Sequence, residues 1–145
     1  MKRVHHLAAT VQDLDQTLAF YCDVLGATIE WPEGPVQEGP QTDTIFGIPG
    51  CRVRVAGINL HGTIIEFFEF LSPPSKEYEK LKDHYRSLGW MHVAIEVDDI
   101  DEQVRRLSEK GVEFLYPVQE LPHGDKMVYF LDPNGIMLEL IQRAR

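Results

Sequence analysis

The stretch His6-Leu-Ala-Ala-Thr-Val-Gln-Asp13-Leu-Asp15 returns as His92-Val-Ala-Ile-Glu-Val-Asp-Asp99-Ile-Asp101, 86 residues further along the chain. A repeat changes the meaning of every residue inside it, because each copy marks the start of one structural unit. The ends of the two units correspond as well. Thr63-Ile-Ile-Glu66-Phe-Phe-Glu-Phe70 matches Ile136-Met-Leu-Glu139-Leu-Ile-Gln142, with a carboxylate at the same place. Gly26 and Gly111, offset by 85, close the segments that follow the two histidine stretches. The chain reads as a duplication.

Each half obeys the same local rules. Alternation and β-branched content predict strands over Val4 to Val11 and Met91 to Val97. A helix follows, opened by Asp13 with Gln16 and by Asp99 with Glu102, spacings that let an Asp side chain accept from a free helical N–H. Leu14, Leu18, Tyr21, Cys22 and Leu25 form one apolar stripe, and Ile100, Val104 and Leu107 the other. Gly26 and Gly111 stand where a left-handed residue ends a helix. Three strands then follow in each half: Ala27–Trp31, Arg52–Ile58 and Thr63–Phe70, then Glu113–Tyr116, Met127–Leu131 and Ile136–Gln142, the last two joined by the turn Asp132-Pro-Asn-Gly135. The expected fold class is α+β, with two βαβββ modules over residues 1–71 and 90–145. Residues 32–51, rich in Pro and Gly, read as a long loop inserted in the first module, of the kind that can serve as a lid. Residues 72–89 read as an inter-module linker, a turn at Ser72-Pro-Pro-Ser75 followed by a charged helix from Lys76 to Leu88.

Composition narrows the partners. With 145 residues, 43% of them apolar and 10% aromatic, the chain can build a core of its own. A formal charge of -9 offers no electrostatic footprint for nucleic acid or an anionic membrane, which reward clustered Lys and Arg. No run approaches the ~20 apolar residues of a membrane span, and MKRVHHLAATV lacks the apolar core of a signal peptide. A cytoplasmic protein acting on a small molecule is expected. Cys22 and Cys51 lack any CxxC spacing and read as reduced and structural. Paired-module proteins with open sheet edges often dimerise, so a homodimer is expected.

The chemistry lies in what the repeat duplicates. Strand alternation puts His6 with Ala8 and Thr10, and His92 with Ala94, on the faces turned away from the helices. Glu66 lies between Ile64 and Phe68, and Glu139 between Met137 and Ile141, on apolar faces where an isolated carboxylate is costly. One imidazole and one carboxylate per half make a bound divalent cation the economical explanation. A mixed nitrogen and oxygen set admits nickel, cobalt, zinc, manganese or iron. Arg52, Arg54 and Lys126 lie on or beside the third strands; surface solubility is their expected role, with contact to an anionic substrate group, assigned to Arg54, as the alternative. His123 and Tyr129 flank the same region of the second half and are further substrate-contact candidates. His5 points to the helix side by alternation, and Trp31 and Trp90 are assigned to core packing.

As a set, His6-x6-Asp13-Leu14 with Phe20-Tyr21-x3-Leu25-Gly26, the Ile65-Glu66 strand, His92-x6-Asp99, and Phe130-Leu-Asp-Pro-Asn-Gly135 running into Leu138-Glu139-Leu140 resemble the vicinal oxygen chelate superfamily of glyoxalases, bleomycin-resistance proteins and extradiol dioxygenases. The resemblance covers nearly the whole chain. It implies a curved eight-stranded sheet around a metal-binding cavity, with His6, Glu66, His92 and Glu139 as ligands to one divalent ion. It also implies a lyase or isomerase similar to lactoylglutathione lyase or an acyl-CoA epimerase, with Glu139 and Glu66 as candidate bases. Methylmalonyl-CoA epimerases usually carry an amide where Glu66 stands. Two other readings accompany this one: an iron(II) extradiol-type dioxygenase using His6, His92 and Glu139, which leaves Glu66 surplus, and a metal-free drug-binding protein, which leaves the whole set surplus.

Overall fold

The computed structural model describes residues 2–76 and 89–144, and the chain forms two compact units, Met1–Glu77 and Tyr78–Arg145. In the first unit the elements run β1 (Leu7–Val11), α1 (Leu14–Ala19), a π-helical turn (Phe20–Val24), β2 (Thr28–Trp31), β3 (Gln37–Glu38), α2 (Pro40–Phe46), β4 (Arg52–Leu60) and β5 (Thr63–Ser72). The second unit runs β6 (Val93–Glu96), α3 (Ile100–Glu109), β7 (Gln119–Glu120), β8 (Lys126–Leu131) and β9 (Met137–Gln142). The fold is α+β with a βαβββ plan in each half.

Each unit has its own sheet. The first is ordered β1-β5-β4-β2 with β3 added on β4, and the second β6-β9-β8-β7. In both, the opening strand lies parallel to the closing one, β1 on β5 and β6 on β9, while the remaining pairs are antiparallel. The parallel pairing requires a crossover, and the helix supplies it. Asp13 and Asp99 cap these helices by accepting from the backbone N–H of Gln16 and Glu102 at 2.9 and 3.0 Å. The duplication extends to a second contact. The first N–H of each helix, on Leu14 and on Ile100, donates to a polar side chain of the closing strand, Glu69 at 3.2 Å and Gln142 at 2.8 Å. Glu69 and Gln142 each lie three residues beyond the duplicated carboxylate. Each of these two helices thus starts at a fixed place on its sheet.

One face of each sheet is covered by its helix and forms the core. Leu14 and Tyr21 are buried, and the Tyr21 ring lies 4.9 Å from Phe67 of β5. In the second unit Ile100 and Leu107 are buried together with Val128, Phe130, Leu138 and Leu140. Each such side chain stabilises by about 1.5–3 kcal/mol relative to exposure. The opposite face of each sheet carries the duplicated His and Glu residues.

Several elements differ from the sequence reading. The 32–51 insertion is structured: β3 pairs with β4, α2 ends at Gly47 with φ 66°, and the Asp43 carboxylate accepts from the N–H groups of Gly50 and Cys51 at 3.0 and 2.9 Å. Pro40 at the first turn of α2 fits the rule that a missing N–H is harmless there. The strand expected over Glu113–Tyr116 is reduced to a single bridge, Phe114 with Phe130, because Pro117 lacks the N–H that would extend the ladder. Trp90, assigned to the core, is 92% exposed. The helix expected from Lys76 to Leu88 lies almost wholly outside the described residues. Among those described, no helix is long and apolar enough to cross a membrane.

Candidate functional site

In the first unit, His6 directly precedes β1, and Ala8 pairs in register with Glu66, so the imidazole lies on the Glu66 face one pleat away. His6 Nε2 is 3.3 Å from Glu66 Oε2. The other ring nitrogen, Nδ1, is 2.8 Å from Nδ1 of His5. Gly57 stands opposite Glu66 on β4, and the indole of Trp31 fills the space that a side chain there would take. A Cβ on Gly57 would lie 2.1 Å from Trp31 Cε2. The Trp31 ring is edge-on to His6 at 6.2 Å and stacked on His5 at 6.1 Å. Further along this face, Phe46 of α2 packs edge-on against Phe68 and Phe70 at 5.7 and 5.1 Å. The insertion therefore walls one end of the site face.

The second unit repeats the pair. His92 precedes β6, Ala94 pairs with Glu139, and His92 Nε2 lies 2.7 Å from Glu139 Oε2. Tyr129 stands opposite Glu139, and its ring is 5.1 Å from that of His92. Tyr116 joins this wall, with its ring 6.0 Å from Tyr129 and its hydroxyl 3.6 Å from Met127 Sδ. Each His–Glu pair is thus flanked by an aromatic ring, supplied by β8 in the second unit and by β2, reaching over a glycine, in the first. Burial pushes the Glu139 carboxyl above its ordinary range, with His92 pulling the other way. His92 Nδ1 is buried and has no hydrogen-bond partner, the kind of exception that calls for a functional explanation.

The donor chemistry fits a divalent cation. With metal–nitrogen and metal–oxygen distances of about 2.0–2.2 Å, two ligands roughly 90–110° apart are separated by about 3.0–3.4 Å. His6 and Glu66 at 3.3 Å already match that interval. His92 and Glu139 at 2.7 Å share a hydrogen bond and would open by a few tenths of an ångström. Among the described residues, no three or more His, Cys, Asp or Glu side chains are grouped so as to hold a metal ion; each unit by itself presents one His–Glu pair.

The other sequence candidates are placed differently. Arg54 lies on the face opposite Glu66, paired with Glu69 across the ladder, and its guanidinium is held by Glu33, Glu69 and Asp15 at 2.7–2.8 Å. Those carboxylates, Glu33 foremost, push its pKa further up. Arg54 ties the insertion to α1 and β5. Lys126 bonds Asp101 at 2.9 Å, and Arg52 bonds Glu38 at 2.7 Å. His123 lies 3.3 Å from Asp125, a carboxylate that also receives Arg143 and the Ala144 N–H. His5, expected on the helix side, instead lies against His6 and Trp31. Sequence reasoning missed the site-face positions of Trp31, Phe46 and Tyr116. Gly57 within an apolar strand was the signal available for Trp31, since such a glycine often marks a close approach.

Two βαβββ modules, each presenting a His–Glu pair on the face away from its helix, define a duplicated-module protein. A family model described as the Glyoxalase/Bleomycin resistance protein/Dioxygenase superfamily matches residues 3–140, and the chain belongs to that superfamily. It is 33% identical over 143 residues to the mitochondrial methylmalonyl-CoA epimerase of Bos taurus, covering 97% of this chain and 74% of that one. It is 31% identical over 145 residues to a 2-epi-5-epi-valiolone epimerase of an Actinomyces species, covering 95% and 78%. A glyoxalase family protein from Bacillus cereus superposes with a TM-score of 0.83 at 25% identity, over 98% of this chain and 94% of that one. Relatives so named, with a probable lactoylglutathione lyase of a Synechocystis species that is 26% identical over 144 residues, covering 96% of this chain and 94% of that one, support an enzyme of the isomerase or lyase kind.

Proposed function

We propose that this chain is a divalent-metal-dependent isomerase or lyase that moves a proton on the carbon beside a carbonyl group of a small-molecule substrate. The observation that carries the reading is the duplicated His–Glu pair, His6 with Glu66 and His92 with Glu139, each within 3.3 Å. His6, Glu66, His92 and Glu139 would hold the ion, which when bound would polarise the substrate's carbonyl oxygen as a Lewis acid and make the neighbouring C–H more acidic.

The residues themselves supply the rest. Glu139 is the first candidate for the base: its side chain is 8% exposed against 20% for Glu66, and burial raises its affinity for a proton. A carboxylate with a raised pKa is better matched to removing a proton near neutral pH. The Tyr129 ring lies beside His92 and the Trp31 ring beside His6. The names of the two epimerase relatives favour proton return to the same carbon over transfer to its neighbour.

The test is isotope exchange. Metal-loaded protein is incubated in deuterated water with a 2-methyl-branched acyl-CoA and, separately, with methylglyoxal plus glutathione. Deuterium is expected at the carbon next to the carbonyl of one substrate, and chelator or Glu139→Gln should abolish it. Absence of exchange with both substrates would overturn the proposal.

A further inference from the structure

The second imidazole of the tandem His5-His6 has no role in the reading above, and its contacts are specific. His5 Nδ1 and His6 Nδ1 are 2.8 Å apart, a full-strength hydrogen-bond distance that requires one proton shared between two nitrogens. The His6 contact on the other side of the ring, Nε2 to Glu66, is 3.3 Å, longer than the ~2.7–2.9 Å of a charge-assisted bond. The stronger restraint on the His6 ring therefore comes from His5. His5 is itself braced, because its ring lies parallel to Trp31 with an interplanar angle of 24°, and Trp31 is seated in the notch that Gly57 leaves open.

From this chain of contacts we infer that His5 is a positioning residue: it accepts the Nδ1 proton of His6 and so holds the Nε2 lone pair of His6 toward Glu66, ready for a cation. The inference rests on the metal-site reading for the direction of that proton. An imidazole that ligates through one nitrogen carries its proton on the other, and a partner for that proton fixes both tautomer and ring orientation. The second unit shows that the fold does not demand such a partner. Met91 stands at the position equivalent to His5, Tyr129 replaces the glycine opposite the carboxylate, and His92 Nδ1 is left without a hydrogen bond. Among the described residues, an imidazole behind the ligand histidine is found in the first half, where His6 is the more exposed of the two imidazoles, 35% against 21%.

The experiment is zinc affinity by chelator competition, measured on wild type, His5→Phe, His5→Asn and His6→Ala. Phe keeps the ring on Trp31 but offers no acceptor, whereas the Asn carbonyl can occupy the place of Nδ1. His5→Phe is expected to weaken zinc binding by about 10–100-fold, as loss of a partner behind a ligand typically does. His5→Asn should recover most of that loss. Nitrogen-15 spectra of the zinc-loaded wild type should show His6 protonated at Nδ1 and coupled to His5 Nδ1. His5→Phe binding zinc as tightly as wild type, while His6→Ala does not, would overturn this inference alone. A wild type that binds no zinc, or a His6→Ala variant that binds it equally well, would overturn the metal-site reading as well.

Discussion

Replacing Gly57 with alanine probes how the first half of the site is built. The added Cβ would meet Trp31 Cε2 at 2.1 Å, Nε1 at 2.4 Å and Cδ2 at 2.6 Å. Contacts below 3.0 Å are essentially never seen, so the indole has to retreat by at least about 0.9 Å, and by more than 1 Å to reach the ~3.5 Å of an ordinary carbon contact. Overpacking of this kind destabilises by about 1–3 kcal/mol, while removing a glycine from a strand returns about 0.5–1 kcal/mol. A net loss of about 1–2 kcal/mol is expected, with the indole displaced from both histidines. Urea titration monitored by tryptophan emission measures it in a Trp90→Phe background, which silences an indole that is 92% exposed. The midpoint should fall at unchanged slope, and Trp31→Phe, followed by far-ultraviolet circular dichroism because it removes the remaining indole, should relieve part of the loss. A Gly57→Ala protein as stable as its parent, with unaltered Trp31 emission, would refute the packing described here.

Other perturbations follow from single contacts. Asp99→Ala removes the acceptor for the Glu102 N–H and should lower stability by about 1 kcal/mol in the same titration. Phe67→Ala empties a fully buried position beside Tyr21 and should cost about 3–5 kcal/mol, a loss that Phe67→Met, which keeps more of the volume, should reduce. The Ala144 N–H, then Arg143 and His123, outweigh burial and hold the Asp125 carboxyl below its ordinary 3.8. Because the unfolded chain binds that proton more readily, the stabilisation is present above the ordinary value and is lost as pH falls through the folded one. Asp125→Asn should therefore be less stable than wild type at pH 6, and the gap in urea midpoints should close in strong acid. A gap independent of pH would rule out the carboxylate as its source.

Most of the fold was legible because the chain states it twice. Two helix caps, two glycine stops and two terminal carboxylates agreed, and the structure keeps all of them, with histidines and carboxylates on the faces that alternation assigned. The insertion was illegible for the opposite reason: it has no second copy, and it holds through Glu33 and Glu38 contacts to Arg54 and Arg52 of β4 and through Asp43 contacts to the N–H groups of Gly50 and Cys51. Arg54 looked available for substrate because three carboxylates far apart in sequence converge on it only in the fold. His5 was assigned by alternation to the helix side, yet it stands two residues ahead of β1, where strand alternation no longer fixes a side chain, and its ring lies against His6 and Trp31. Trp31 could be found only by asking what a glycine opposite Glu66 makes room for.

Elemental analysis of protein purified without chelator, alongside single alanine variants of His6, Glu66, His92 and Glu139, tests the account at its root. One divalent ion per chain is expected in the wild type, with retention sharply reduced in variants from both halves. A wild type free of metal, or an ion that persists when residues of either half are replaced, would contradict it.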